Sequence, residues 1–344
     1  MKQYENIFSV KSDVYERLFD TETKKSEYNK IELKPSVYVK GSGEYRYFLD
    51  KSVTLQEKKF DDVQGMNAWC KSMDDMGMEY YGKTTPKYQY LKDTYYFDKD
   101  KQYVNNDHDM RTWYIDIEVS QEFGFPFPNE AKAPVTLIQL YDSFDDKYYV
   151  IGYEDIEGHE NPKDLARVKE YNSKYEFPDK TTYLRVSDEI EMYRYFMKLI
   201  KAKNPAIMTA WNGELFDFPY LVNRAKNIGL NANDLSPVQY CKCEYKKIGN
   251  SDVYNTTIGG VYLLDLMELY KKFIFTPQTS YSLNNIASVE LGSEKVLYEE
   301  YSNLDELMNG NIDNYNKSGN DEVMDSLYDE ICDIDRELER RGLL

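Results

Sequence analysis

Asp116 and Glu118 stand two residues apart inside a run of strand-forming residues, Trp113-Tyr114-Ile115-Asp116-Ile117-Glu118-Val119. Successive side chains on a strand point to opposite faces, so the two carboxylates share one face and Ile115, Ile117 and Val119 share the other. A core strand of this kind can carry a hard divalent cation such as Mg²⁺ or Mn²⁺, which takes oxygen ligands. A surface strand with a polar outer face has the same pattern, and with 61 acidic residues among 344 an acid-x-acid triple also arises by chance. A third carboxylate, Asp217, follows the turn-like Trp211-Asn212-Gly213 and precedes Pro219. Proline suits the first turn of a helix, here one running to about Ile228, which places Asp217 near a helix N-terminus.

The elements that must position these groups read as follows. Residues 1–107 form a β-rich module with alternating runs at 36–39 and 45–49. One helix is expected over 61–76, with Val63, Met66, Trp69, Met73 and Met76 as its core stripe and Gly77 ending it. The polar run at 98–109 connects to a second module, residues 108–344. That module opens with the carboxylate strand and a Pro-rich aromatic loop, 121–134. A hairpin of strands 135–141 and 147–153 comes next, then a polar stretch at 154–182. Ser187 is placed to cap a helix carrying Ile190, Tyr193, Met197 and Ile200. A short strand at 206–210 leads to Asp217. A longer hairpin is expected over 240–266 with its turn at 249–251, then a helix or loop at 266–275 and a helix at 280–291. The order strand, hairpin, helix, strand, helix suits an α/β mixed sheet of the ribonuclease H type.

Composition bounds the rest. The length allows about two domains, each with its own core. The net charge of −18 argues against wrapping nucleic acid by bulk electrostatics, but local Lys/Arg patches and site-bound metal leave a nucleic-acid enzyme open. No window has the apolar length of a signal peptide or membrane span. Cys70, Cys241, Cys243 and Cys332 lack a second pair and a nearby His, which argues against zinc and suits a reducing cytoplasm.

Four stretches resemble the family B DNA polymerases, in particular the T-even-phage replicative type. YIDIEV at 114–119 resembles the first exonuclease motif, and TAWNGELFDFPYLVNR at 209–224 looks like the second. MELYKKFIF at 267–275 and SYSLNNIASVELG at 280–292 resemble the stretches leading to the third. KSMDDMGMEYYG at 71–82 looks like that group's N-terminal domain, so the likeness covers about residues 1–300. The resemblance implies a smaller β-rich N-terminal domain before a ribonuclease H-like 3′–5′ proofreading exonuclease. It implies a two-metal site of Mg²⁺ or Mn²⁺, with cations about 4 Å apart. Asp116, Glu118 and Asp217 would hold the metals, and Phe123, Phe125, Asn212 and Phe216 would contact the single-stranded 3′ end of DNA. The 240–262 hairpin would help separate primer from template. The implied setting is a phage protein in the cytoplasm of a bacterial host.

Two departures stand out. The family's third motif is Tyr-x-x-x-Asp on a helix, whereas here Tyr315 and Asp321 are six apart, and six does not stack on one helical face. Tyr301 and Asp305 have the spacing but fall too early. Asp321 is the remaining candidate for a fourth ligand. No His follows His159, which excludes the His-x-x-x-x-Asp variant of the site. The palm signatures are absent. Asp325-Ser326-Leu327-Tyr328 imitates one, but Val323 and Asp329 break it. A last helix over 321–341 carries Val323, Leu327, Ile331, Ile334 and Leu338, and packs on its own domain or on a partner. The expectation is a split or truncated polymerase whose palm, fingers and thumb come from a second polypeptide, with any sliding clamp reached only through it. The alternatives are an exonuclease-inactive assembly or DNA-binding module, or a stand-alone repair exonuclease.

Overall fold

The computed structural model describes residues 2–10, 13–96, 109–120, 124–153, 180–249 and 251–292. The chain divides into two units, Met1–His108 and Asp109–Leu344. In the first, β1 (Lys2–Val10), β2 (Asp13–Asp20) and β3 (Lys25–Ile31) form an antiparallel sheet. Arg17 and Glu5 pair inside it at 2.6 Å, both buried. β4 (Ser36–Arg46) and β5 (Thr54–Lys59) form a separate hairpin whose register shifts between Lys40 and Tyr45. The second alternating run stops at Arg46, because Phe48 and Leu49 lie exposed in the connection. α1 (Val63–Asp75) is capped by Asp62, whose side chain accepts the Gly65 N–H, and Gly77 follows at a left-handed φ of 63°. Met66 and Cys70 bury its inner face, with Val63 and Trp69 packed against them. Met76 lies outside the helix and exposed, not in the stripe. α2 (Pro86–Leu91) completes the described elements that matter here.

The second unit is built on a mixed sheet. Its strands are β6 (Thr112–Val119), β7 (Val135–Asp142), β8 (Lys147–Tyr153), β9 (Thr181–Val186), β10 (Ile207–Ala210) and β13 (Tyr262–Asp265). Their order is β13-β10-β6-β7-β8-β9, antiparallel across β6-β7-β8 and parallel elsewhere. Apolar residues face each other across the central strands: Ile117, Ile138 and Ile151 form one row, and Ile115, Leu140 and Tyr149 the next. Each is buried. α3 (Glu189–Lys203) and α4 (Asp217–Asn227) contribute to the same core through Met192, Tyr193, Phe196, Ile200, Phe218 and Leu221. Trp113 is fully buried, and its indole N–H donates to Asp142 at 2.8 Å.

Several expectations need correcting. Asp188, not Ser187, caps α3, and Glu191 reaches back to the Ser187 N–H, so the capping pair sits one residue further on. Ile190 points outward, and Met192 and Phe196 take its place in the core. The stretch 240–266 is not one hairpin. β11 (Cys241–Ile248) pairs with β12 (Ser251–Ile258), but β13 leaves them and joins the main sheet in parallel with β10. β9 was hidden at the end of a polar stretch. α5 (Leu266–Phe273) and α6 (Leu283–Leu291) follow. Among the described residues no helix is long and apolar enough to cross a membrane. The linker at 98–108, Asp321 and the 321–341 helix lie outside the described residues.

One polar contact ties these layers together. Arg224 on α4 makes two hydrogen bonds to Glu189 at the start of α3, at 2.8 and 2.6 Å. The same guanidinium donates to the Lys132 carbonyl at 2.6 Å, while Glu189 accepts the Val135 N–H at 2.7 Å. Cutting such a pair on one side strands the other charge in a water-poor site. Arg224→Ala is therefore expected to cost about 3 kcal/mol, read by urea unfolding. Arg224→Lys should restore only part of it, because an ammonium cannot make the paired contact.

Candidate functional site

The site forms where a ladder stops. β10 pairs with β6 only as far as Thr209 and Tyr114, and the chain then turns away through 211–216. Past that point the N–H of Ile117 has no strand partner on that side. The Asp217 carboxylate takes it, Oδ1 accepting at 3.3 Å. Asp217 is the first residue of α4 and is 3% exposed. The residues on either side of Ile117 are Asp116 and Glu118, whose side chains lie on the outer face of β6, one exposed and one half-buried. Asp217 is thus brought against the peptide N–H that lies between Asp116 and Glu118 in the strand, within electrostatic reach of Asp116.

β6 is shaped locally by its partner. The β6-β7 register shifts between Glu118 and Val119, leaving Thr136 as an extra residue on β7. Its hydroxyl donates to the Glu118 carbonyl at 3.3 Å. A bulge of this kind bends the strand and re-aims its side chains. Gln139 stands directly across from Asp116, and its amide donates to Asp116 Oδ2 at 2.8 Å.

The turn that delivers Asp217 is held by a residue that sequence reasoning missed. Asp265, 3% exposed at the end of β13, accepts the N–H groups of Asn212 at 3.2 Å and Glu214 at 3.1 Å. It also caps α5 through the N–H groups of Met267 and Glu268. The signal was present as Asp265-x-x-Glu268 before an amphipathic run, a helix-start pattern. Asn212 sits at φ 66°, a left-handed conformation that Asn tolerates, and serves the turn. Gly213 has no room for a side chain, since a Cβ would come within 2.6 Å of the Ala210 Cβ and 2.9 Å of the Phe218 ring.

α4 then fastens the loop that follows β6. Tyr220, Asn223 and Asn227 donate to the carbonyls of Ala133, Pro128 and Glu130. Phe125 is 70% exposed, edge-on to Phe127 at 4.9 Å. Phe216 is packed partly against the core, its ring 5.5 Å from Tyr220. Phe123 lies outside the described residues. The hairpin β11-β12 leans on α4, where Cys243 accepts from Asn223 and Thr256, so this sulfur packs with polar neighbours.

Electrostatics mark Asp217 out. Burial, then the nearby Asp116 charge, raises its carboxyl from the ordinary 3.8 to about 7, against the lowering effect of backbone N–H groups. Glu214 is also raised, by burial and by the carboxylates of Asp265 and Glu268. Among the described residues no three His, Cys, Asp or Glu side chains are drawn together closely enough to form a ready metal cage. The arrangement can hold a proton on Asp217 near neutral pH.

Comparison with known proteins agrees with the motifs. The family described as DNA polymerase family B, exonuclease domain, matches residues 66–286. A DNA-directed DNA polymerase of Escherichia phage RB69 is 33% identical over 314 residues, which is 86% of this chain and 33% of that protein. The DNA-directed DNA polymerase of Enterobacteria phage T4 is 31% identical over 309 residues, again 86% of this chain and 33% of the relative. A DNA polymerase of Pyrococcus glycovorans is 28% identical over 202 residues. The chain spans about a third of the length of the two phage relatives.

Two outcomes test this architecture. Because folding raises the Asp217 carboxyl from 3.8 to about 7, the native form holds more protons between those values. Stability of the metal-free chain should fall as pH rises through that window. Asp217→Asn keeps the acceptor for Ile117 but removes the charge, so it should be more stable than the parent by about 2–4 kcal/mol at pH 8, with the gap closing towards pH 4 in denaturant titrations. Asp265→Ala leaves several backbone donors without an acceptor and should cost about 3 kcal/mol in urea unfolding at neutral pH. A loss below about 1 kcal/mol would show that the turn and the helix start do not depend on Asp265.

Proposed function

Since this chain belongs to the family B DNA polymerases, through their exonuclease domain, we propose that it is a divalent-metal-dependent 3′–5′ exodeoxyribonuclease. The second unit is then a ribonuclease H-like exonuclease domain that removes nucleotides from a single-stranded 3′ end during replication. The observation that carries this reading is the Asp217 carboxylate, seated on the Ile117 N–H between Asp116 and Glu118. The donor set suits Mg²⁺ or Mn²⁺: it is all oxygen, and the Asp217 carboxyl, raised first by burial and then by the Asp116 charge, carries a repulsion that a cation would relieve. Asp116, Glu118 and Asp217 would hold it. When bound, it would supply an activated water and charge stabilisation at the leaving 3′-oxygen.

The chain's own residues set the stage for that chemistry. Ile117 and the core beneath it fix the strand. Asp265 and Gly213 fix the turn that brings Asp217 in. Phe125 and Phe127, exposed on the loop that α4 holds, offer stacking surface to unpaired bases, with Phe123, Asn212 and Phe216 as further contacts. The hairpin β11-β12 separates the fraying strand from its template. Polymerisation belongs to palm, fingers and thumb outside these 344 residues, through which any sliding clamp would be engaged.

A second reading is supported by one observation. The third motif is broken, with Tyr315 and Asp321 six residues apart, and the buried Asp265 near the site is already committed to four backbone N–H groups. The fold would then act as a non-catalytic module that binds DNA or the polymerase unit. The two readings part on one assay. With 5′-labelled single-stranded DNA and Mn²⁺, the chain should give a ladder shortened from the 3′ end, stopped by EDTA and reduced about 10³-fold by Asp116→Ala. DNA binding without degradation or Mn²⁺ uptake favours the module. Degradation that survives Asp116→Ala removes the role given to that carboxylate.

A further inference from the structure

Gln139 is a polar side chain at the site that has no part in the motifs. It sits on β7 directly opposite Asp116 in the antiparallel ladder, on the same outer face. Directly opposed residues on a face are within side-chain reach, and here reach becomes contact: Nε2 donates to Asp116 Oδ2 at 2.8 Å. A carboxylate accepts, so only the NH₂ end of the amide can face it, and the orientation of Gln139 is thereby fixed.

We propose that Gln139 is a positioning residue that aims the Asp116 carboxylate for metal binding. The inference rests on the metal-binding reading above. The last torsion of an aspartate is soft, with a broad two-fold profile, so an exposed carboxylate does not choose its own rotation. A hydrogen bond to one oxygen selects the rotation and assigns the two oxygens different tasks. The neighbouring pair on one side of this face is aromatic: Tyr114 lies against Tyr141 at 6.0 Å, two pairs along the ladder from Asp116 and Gln139. The charge type also fits. A lysine at this position would bring a cation that competes with the metal, whereas an amide directs the carboxylate and adds no positive charge. Hydrogen-bond partners of metal-binding carboxylates are worth about 10–100-fold in metal affinity or activity.

The test uses the full chain and Mn²⁺. Gln139→Leu removes the donor, and Gln139→Met does so while keeping the length, should the first variant fold poorly. The Mn²⁺ concentration giving half of the metal-induced rise in melting temperature should increase about 10–100-fold, with the metal-free melting temperature unchanged. With saturating Mn²⁺ the rate of single-stranded DNA degradation should fall, while KM for the DNA stays the same. A variant with the parent's Mn²⁺ midpoint overturns the inference while leaving the exonuclease reading intact. A parent chain that shows no response to Mn²⁺ and no degradation overturns both. A drop in the metal-free melting temperature with an unmoved midpoint makes Gln139 a purely structural residue.

Discussion

A buried carboxylate on a strand's unpaired N–H is the contact on which the second unit turns. β10 ends at Ala210, and the edge of β6 that it abandons would otherwise present bare backbone inside the protein. Buried backbone donors need acceptors. Asp217 supplies one, and in doing so brings a negative charge to within electrostatic reach of Asp116. An asparagine would satisfy the same N–H without the repulsion. The choice of a charged acceptor at this depth works against stability, which is a signature of a site kept for chemistry.

Holding that charge in place requires rigidity on both sides of it. On the near side, the turn 211–216 is pinned by Asp265 and by the absence of a side chain at Gly213. On the far side, α4 is tied to α3 by Arg224 and Glu189, and to the loop after β6 by Tyr220, Asn223 and Asn227. One helix therefore bridges two segments distant in sequence, the turn at 211–216 and the loop at 127–133. The Tyr-x-x-Asn-Arg part of the second motif supplies this fastening.

What was legible in the sequence followed from local chemistry. Period-two alternation exposed β6, β7 and β8. Gly77 and Pro219 marked helix ends, because caps and fixed dihedrals act over one turn. Asp116, Glu118 and Asp217 stood out as carboxylates in apolar company. The misses were non-local. β13 reads as the tail of a hairpin, and only pairing with β10 reveals it as a sheet strand. Asp265 looks like an ordinary helix cap until the fold brings the turn at 211–216 against it. Gln139 carries no signal at all, since its meaning depends on the register between β6 and β7. Ile190 was misassigned because helical spacing allows two adjacent stripes, and packing chose the one through Met192 and Phe196.

Charge unites the site with the composition. A chain of net charge −18 gains little from bulk attraction to DNA, and the outer face of β6 is acidic besides. On the proposed reading a phosphate can approach Asp116 and Glu118 only after cations have reversed the local sign. Metal binding and DNA binding at this site would then be coupled, each raising the affinity for the other by the same factor. The proton that Asp217 takes up near pH 7 competes with the first of these events. Acidity would thus weaken DNA engagement through the metal, without any residue touching the DNA having to titrate.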